Sequence, residues 1–472
     1  MNSEKRWVAL FVVIEIFWLS ILFSFVYQWI YNFELNVNTA IDLNFVTFPL
    51  ILLILVFIFA LIFIYCTYFV VFNKVKNKQM DAYKTICNAK INCNKQVKND
   101  SEGFECESYL STEIADSNLS NNPLCSIIIP SRNEENVIRN TVLNCLSQTY
   151  SNIEVIVICH NCSDNTFQNA NVADNRVKIF DLTTKEAGKG LALNYGVNKA
   201  NGEFLLILDG DGRLSSDFIE KALPLLFQKD ISAVQGMYIP SNREYNLLTR
   251  LISIEGDLWS TPYMTTRSYL QKRVYLGGTG YIIKKTALLN VGGFTNHLVD
   301  DYELSCRLFK YGHKVLFAPL SINYDEKPGT FDVLIRQRAR WSRGFMDLLK
   351  ERSVKVTDVL GFIYWLTPLA ALAGFIILTI YGYAAIHNLI IGYYPYSYAY
   401  LPVDIWLPLT GIVIIMQSAV LTKEYGRKGL NYSLYLTIYI AFSLYFFVAY
   451  IKSFFVKSWE NTKTLHGFTK HE

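Results

Sequence analysis

Five runs of at least 18 residues with no more than one charge constrain this chain most, because a bilayer core about 30 Å thick is crossed by roughly 20 apolar helical residues. They are Val8 to Ile30, Val46 to Phe72, Leu360 to Ile386, Ile405 to Thr422 and Tyr432 to Ile451. None falls between Phe72 and Leu360, so two spans are predicted before a soluble middle and three after it. The average composition agrees: 51% of the 472 residues are hydrophobic and 18% charged, against about 25% charged in soluble proteins. That balance argues against a wholly soluble chain. A net charge of +4 over this length also argues against a nucleic-acid footprint. Nine scattered cysteines form no disulfide framework and suit a reducing compartment.

The first run is longer than the roughly 7 to 15 residues of a secretory signal core and lacks a small-residue cleavage site, so it reads as a retained anchor. Lys5 and Arg6 precede it, Lys74, Lys76 and Lys78 follow the second run, and Lys423, Arg427 and Lys428 separate the last two. The loops Tyr31 to Phe45 and His387 to Asp404 carry no Lys or Arg. The positive-inside rule then places the N-terminus and the large middle region in the cytoplasm, with the plasma membrane as the expected location. Lys452, Lys457, Lys463 and Lys470 would fall outside. Either that bias is overridden or one C-terminal segment lies along the interface instead of crossing. Glu15, inside the first run, is a functional candidate by its cost there, or a carboxyl hydrogen-bonded to a neighbouring helix.

Four regions result: paired spans over 1–73, a charged flexible linker over 74–122, a cytoplasmic domain over 123–350, and a C-terminal membrane region with a short tail over 351–472. The linker is basic in its first half and acidic in its second, a solvated charge run or a contact for anionic headgroups.

In the middle region, short β-branched runs alternate with helical patterns, which predicts a mostly parallel sheet in an α/β domain. Ser126–Pro130, Glu154–Cys159, Val177–Phe180 and Phe204–Leu208 are the predicted strands. Ligands of such sheets bind beyond the carboxyl ends of the strands. There, Phe204–Leu208 runs directly into Asp209-Gly-Asp211-Gly. Two carboxylates at a strand end suit a hard divalent cation shared with a diphosphate, although acidic pairs also occur in ordinary turns. A second pair, Asp300-Asp301, opens a predicted helix. Those acids either complement the helix dipole or supply a general base. Gln337-Arg-Ala-Arg340-Trp341 offers a guanidinium for phosphate and an indole for a sugar face, or else an interfacial anchor. Cys159 and Cys162 have Cys-x-x-Cys spacing but no second ligand pair at zinc spacing, so they are not taken as a metal site.

In this order the motifs resemble the membrane-embedded family 2 glycosyltransferases that include cellulose, chitin, hyaluronan and poly-N-acetylglucosamine synthases. The resemblance covers about Leu124 to Leu349 and implies a GT-A-type, Rossmann-like α/β cytoplasmic domain inserted between transmembrane helices. By its implication Pro130, Arg132 and Glu134 form the first nucleotide-binding loop and Lys189, in Gly188-Lys-Gly-Leu-Ala-Leu-Asn194, contacts the nucleotide. Asp209 meets the ribose or metal and Asp211 the metal, as Mg2+ or Mn2+. Gly277-Gly278-Thr279-Gly280 and Val291-Gly-Gly-Phe294 line the acceptor and donor-sugar pocket. Asp301 is the catalytic base beside Asp300, and Gln337, Arg340 and Trp341 cover the diphosphate and acceptor. His160 stands where many relatives have a base-recognising Asp, with Asp164 matching the later Asp of that loop. The expected function is inverting, metal-dependent transfer from a nucleotide-diphosphate sugar, with UDP the family expectation, to a polysaccharide extruded through the membrane. The alternatives are a single transfer to a lipid such as a polyprenyl phosphate or glycolipid, and a non-catalytic transporter or scaffold.

Overall fold

The computed structural model describes residues 43–99, 122–186, 188–351, 403–443 and 445–456. The chain divides into two units, Met1–Phe57 with Leu372–Pro408, and Ile58–Ala371 with Leu409–Glu472. In the first unit the described residues are helical, at 43–57 and 403–408.

The second unit is built on an eight-stranded mixed sheet of β1 (Cys125–Ser131), β2 (Ile153–His160), β3 (Val177–Leu182), β4 (Phe204–Ile207), β5 (Arg213–Leu214), β6 (Ile231–Pro240), β7 (Tyr281–Lys284) and β8 (Lys314–Asp325). The order is β3-β2-β1-β4-β7-β6-β8-β5. The four strands expected from sequence are β1 to β4, and they form the all-parallel half, with Ile128 in register with both Ile156 and Ile207. The largely apolar runs of β1, β2 and β4 reflect burial on both faces, whereas β3 at the edge is half-buried. Ile127, Ile129, Val155 and Val157 enter one core cluster, and Ile128, Ile156 and Ile158 enter the other. In the remaining half β7 pairs antiparallel with both β4 and β6, β6 runs parallel to β8, and β5 pairs antiparallel with β8.

The structure revises two expectations about the chain outside the sheet. The linker is helical in its first part: the Leu43–Asn99 helix continues through the lysine-rich stretch, which contains no Gly or Pro. Gln79 is fully buried there, donating to Lys221 O at 3.1 Å and Ser321 Oγ at 2.9 Å and accepting from Leu320 N at 2.8 Å. Among the described residues one helical stretch, Ile58–Thr85, is long and apolar enough to cross a membrane. It overlaps the second expected span, and the fourth forms one helix, Val403–Tyr425. The first and third spans, Glu15 and the rest of the linker lie outside the described residues.

The fifth expected span is not a single helix. It falls within three short helices, Arg427–Ser433, Leu436–Phe442 and Tyr445–Ser453. Its tyrosines account for the difference, because their hydroxyls find partners on the catalytic domain. Tyr432 bonds Glu244 at 2.7 Å, Tyr435 bonds Arg250 at 2.8 Å, and Tyr445 bonds Glu255 at 2.6 Å. Ile252, Leu334, Ile335, Tyr445 and Ala449 form one buried cluster, so one side of the segment packs on protein, while Leu434, Ile438, Val448 and Ile451 stay exposed.

Candidate active site

A cavity of about 690 Å³ opens at the carboxyl end of the parallel strands. Pro130, Arg132, Glu134, His160, Lys189, Asp209, Asp211, Gly278, Thr279, Asp300, Asp301, Gln337, Arg340 and Trp341 all line it. Residues spread over more than two hundred positions of sequence therefore meet in one space.

The donor side is built by the parallel half. Where β4 ends, the Asp209 N–H donates to Thr279 Oγ1 at 2.9 Å, and Gly210 passes so close to the β1 loop that a Cβ there would lie 2.9 Å from Ser131 Oγ and 3.1 Å from Glu134 Cγ. Thr141 Oγ1 holds the Gly210 carbonyl at 2.8 Å. The Lys189–Lys199 helix starts at the site, and Lys189 Nζ donates to Asp209 Oδ1 at 2.5 Å and to Gly278 O at 2.9 Å. Burial alone would lower the Lys189 pKa, but Asp209, Asp300 and Asp301 together raise it, so the ammonium stays charged.

Asp301 and Lys189 meet above Gly278. Its φ of +81° is a conformation that favours glycine, and a Cβ built on it would lie 3.1 Å from Asp301 Oδ2 and 3.8 Å from Lys189 Nζ. Asp300 and Asp301 open the Asp300–Lys310 helix. Burial, then the charge of Asp300, push the Asp301 carboxyl up to about 7, against the pull of Lys189 and Arg340. Burial likewise raises Asp300, with Asp209 adding to it. Such a carboxylate is poised to accept a proton near neutral pH. Arg340, from the Phe331–Lys350 helix, donates to Leu298 O at 2.9 Å. Burial lowers its pKa, while Asp300, Asp301 and Asp209 oppose that shift.

Three mutually repelling carboxylates, Asp209, Asp300 and Asp301, thus face two cations, Lys189 and Arg340. The surplus negative charge and the hard oxygen donors of Asp209 and Asp211 fit a divalent cation that takes its other ligands from a diphosphate. Among the described residues no three metal-ligating side chains form a preformed cage.

Several of the expected contact residues lie outside the cavity lining. Asp164 does not line the cavity: it accepts from Glu135 N at 3.2 Å and from Thr166 N at 3.0 Å, bracing the nucleotide loop from behind. Val291 to Phe294 do not line it either. Asn194 clasps that turn, donating to Phe294 O at 2.8 Å and accepting from Phe294 N at 2.9 Å, which accounts for the Asn of the Lys189 motif. Gly280, also outside the lining, completes the sheet by donating to Ile207 O at 2.8 Å. His160 does line the cavity, but its Nε2 lies 2.7 Å from Thr184 Oγ1, and burial holds its pKa below the usual value despite backbone hydrogen bonds at Gly188 and Glu186.

Other residues of the site were not singled out from sequence. Tyr238, on β6, has its hydroxyl 2.6 Å from Gly277 O and 2.9 Å from Thr279 O. Gln235 supports the same loop, accepting from Gly277 N at 2.9 Å and donating to Gly280 O at 3.1 Å. Glu255 and Asp257 of the Leu247–Leu270 helix reach the cavity as buried ion pairs, Glu255 with Arg338 at 2.7 Å and Asp257 with Arg243 at 2.6 Å. Two acids in the otherwise apolar stretch Leu251-Ile-Ser-Ile-Glu255-Gly-Asp257-Leu258 were the available signal. The wall beyond them is largely apolar, with Trp259, Met264, Phe345, Met346, Leu349 and Phe446.

Residues 123–344 match the family described as "Glycosyltransferase like family 2". A probable glycosyltransferase of Bacillus subtilis is 31% identical over 238 residues, which is 48% of this chain and 56% of that protein. A beta-monoglucosyldiacylglycerol synthase of Trichormus variabilis is 29% identical over 53% of this chain and 57% of its own. A poly-beta-1,6-N-acetyl-D-glucosamine synthase of Staphylococcus aureus is 28% identical over 46% of this chain and 53% of its own. The chain thus spans a little over half the length of the curated relatives it matches. With the sheet order and the acids at its strand ends, the match supports a family 2 glycosyltransferase domain of GT-A-like α/β fold over residues 123–344.

Proposed function

We propose that the protein transfers a sugar, with inversion, from a nucleotide-diphosphate sugar to an acceptor carried by the membrane. The convergence of Asp301 and Lys189 above Gly278, with Arg340 in electrostatic reach of Asp301, is the observation that carries this reading. Asp301 accepts the proton of an acceptor hydroxyl as that oxygen bonds to the anomeric carbon. The bond from that carbon to the diphosphate breaks and its electron pair leaves with the nucleotide, so a single displacement inverts the centre. Lys189 and Arg340 stabilise the leaving charge from fixed positions. Asp209 and Asp211 would hold Mg2+ or Mn2+, which when bound supplies further charge neutralisation at the diphosphate. Pro130, Arg132 and Glu134 flank the nucleotide, and UDP is the donor expected from the resemblance.

The apolar wall from Trp259 to Phe446 favours an acceptor with a hydrocarbon portion, such as a glycolipid or polyprenyl phosphate. Trp341, stacked by Arg338 inside the same cavity, favours the second reading, a growing polysaccharide whose terminal ring rests on the indole. Either acceptor suits an integral membrane protein with a cytoplasmic catalytic face, the arrangement read from the charge pattern. Full-length protein in nanodiscs, given radiolabelled UDP-glucose, UDP-N-acetylglucosamine or GDP-mannose with Mn2+, separates the two. Label in the organic phase as one added sugar supports the lipid acceptor, and a retained ladder supports the polymer. Nucleotide release no greater than that of Asp301→Asn would sink both.

A further inference from the structure

The C-terminal helical segment does more than cover the catalytic domain. Tyr445, 2% exposed, donates its hydroxyl to Glu255 Oε2 at 2.6 Å. The other oxygen of Glu255 accepts from Arg338 at 2.7 Å. The Arg338 guanidinium lies 4.3 Å from the Trp341 ring centroid and 5.9 Å from that of Phe446. Glu255, Arg338, Trp341 and Phe446 all border the cavity, whereas Tyr445 does not. The ring of Tyr445 is held separately, stacked on Phe446 with centroids 4.4 Å apart and packed in the apolar cluster with Ile252 and Leu334.

We infer that Tyr445 is a positioning residue, acting through Glu255 and Arg338 to set the plane of Trp341 and with it the acceptor surface of the cavity. This rests on the reading of the cavity as a glycosyl-transfer site. One oxygen of the Glu255 carboxylate is held by Arg338 and the other by Tyr445, so loss of the Tyr445 hydroxyl strands a buried oxygen, and the carboxylate turns to recover a hydrogen bond. Arg338 turns with it, because its Nη2 bonds the carboxylate while its flat face stacks on the indole. Tyr445 and Glu255, 190 positions apart, are thereby coupled to the tryptophan of the Gln337 to Trp341 motif.

Fluorine NMR of the full-length protein labelled with 5-fluorotryptophan tests the chain of contacts without needing an identified acceptor. The line lost in Trp341→Phe assigns Trp341. Tyr445→Phe and Glu255→Gln are expected to shift or split that line and leave the remaining tryptophan lines in place, which also shows that both variants are folded. Tyr432→Phe, which removes a hydroxyl bonded to Glu244 instead, leaves the Trp341 line unmoved. Arg338→Lys, charged but without a planar face, shifts it as Tyr445→Phe does. A Trp341 line unchanged in Tyr445→Phe and Glu255→Gln overturns the inference. Nucleotide release by the wild type is read separately: its absence would sink the transfer reading, while the fluorine lines still decide the positioning contacts.

Discussion

The two sides of the cavity are made differently. The donor side is assembled from strand ends and the loops beyond them, and its residues sit in short motifs: Pro130 to Glu134, Gly188 to Asn194 and Asp209 to Gly212. The acceptor side is assembled from helices far apart in the chain and is held by buried charge pairs, Arg243 with Asp257 and Arg338 with Glu255, finished by hydroxyls of Tyr425 and Tyr445. On the first side the charged groups border the cavity and are positioned by the sheet, so their removal is expected to cost rate. An acceptor-side charge faces another charge in a dry interior, so its removal costs stability.

That contrast is broken most easily with Arg243→Ala. It leaves the buried Asp257 carboxylate with the Tyr425 hydroxyl but without its ion-pair partner, and breaking such a pair costs about 3–5 kcal/mol, read as a fall in denaturant midpoint or Tm of the detergent-solubilised protein. A variant as stable as wild type would remove the distinction. On the donor side, Lys189→Met is expected to lower kcat/KM for nucleotide release by about 10²–10³, the scale for loss of one preorganised donor. Lys189 pulls the Asp301 pKa down, so its loss also moves the acid limb of the rate profile to higher pH. A limb that stays or moves to lower pH would contradict the charge arrangement. Gly278→Ala belongs to both sides. A left-handed alanine costs about 1–2 kcal/mol, and its methyl group crowds the Asp301 carboxylate, so a lower Tm should accompany a lower kcat. The smallest effect is expected at Asp164. Replacement by Asn keeps an acceptor oxygen for Thr166 but gives Glu135 N an amide NH2 that cannot accept, which costs about 1 kcal/mol at this part-buried position and leaves donor KM within a few fold. A large rise in KM would return Asp164 to the nucleotide contacts.

The contrast also explains what could be read in advance. Strands β1, β2 and β4 announced themselves because two-sided burial makes continuous apolar runs, and each of the three ended at residues that line the cavity. Asp209, Lys189, Asp301 and Arg340 were legible from local pattern and resemblance, and all reach the cavity. Tyr238, Glu255 and Tyr445 were not, because their roles depend on partners 39, 83 and 190 positions away. The Tyr432 to Ile451 stretch, expected to cross the membrane or to lie along its interface, falls within three short helices for the same reason. Composition alone does not distinguish lipid from protein as the cover for an apolar face, and here its tyrosines meet Glu244, Arg250 and Glu255. Asp164 and the Val291 to Phe294 turn had been assigned to ligand, whereas their hydrogen bonds run to neighbouring loops.

The central claim is that Asp301, raised to about 7 by burial and by Asp300, is the base of the transfer. The pH dependence of kcat/KM for nucleotide release, measured for wild type and Asp301→Asn, tests it most directly. Because the carboxyl must lose its proton to act, wild-type activity should climb as pH rises through about 7, and the variant should be flat and about 10²–10⁴ slower. A variant within a few fold of wild type that keeps the same rising limb would contradict it.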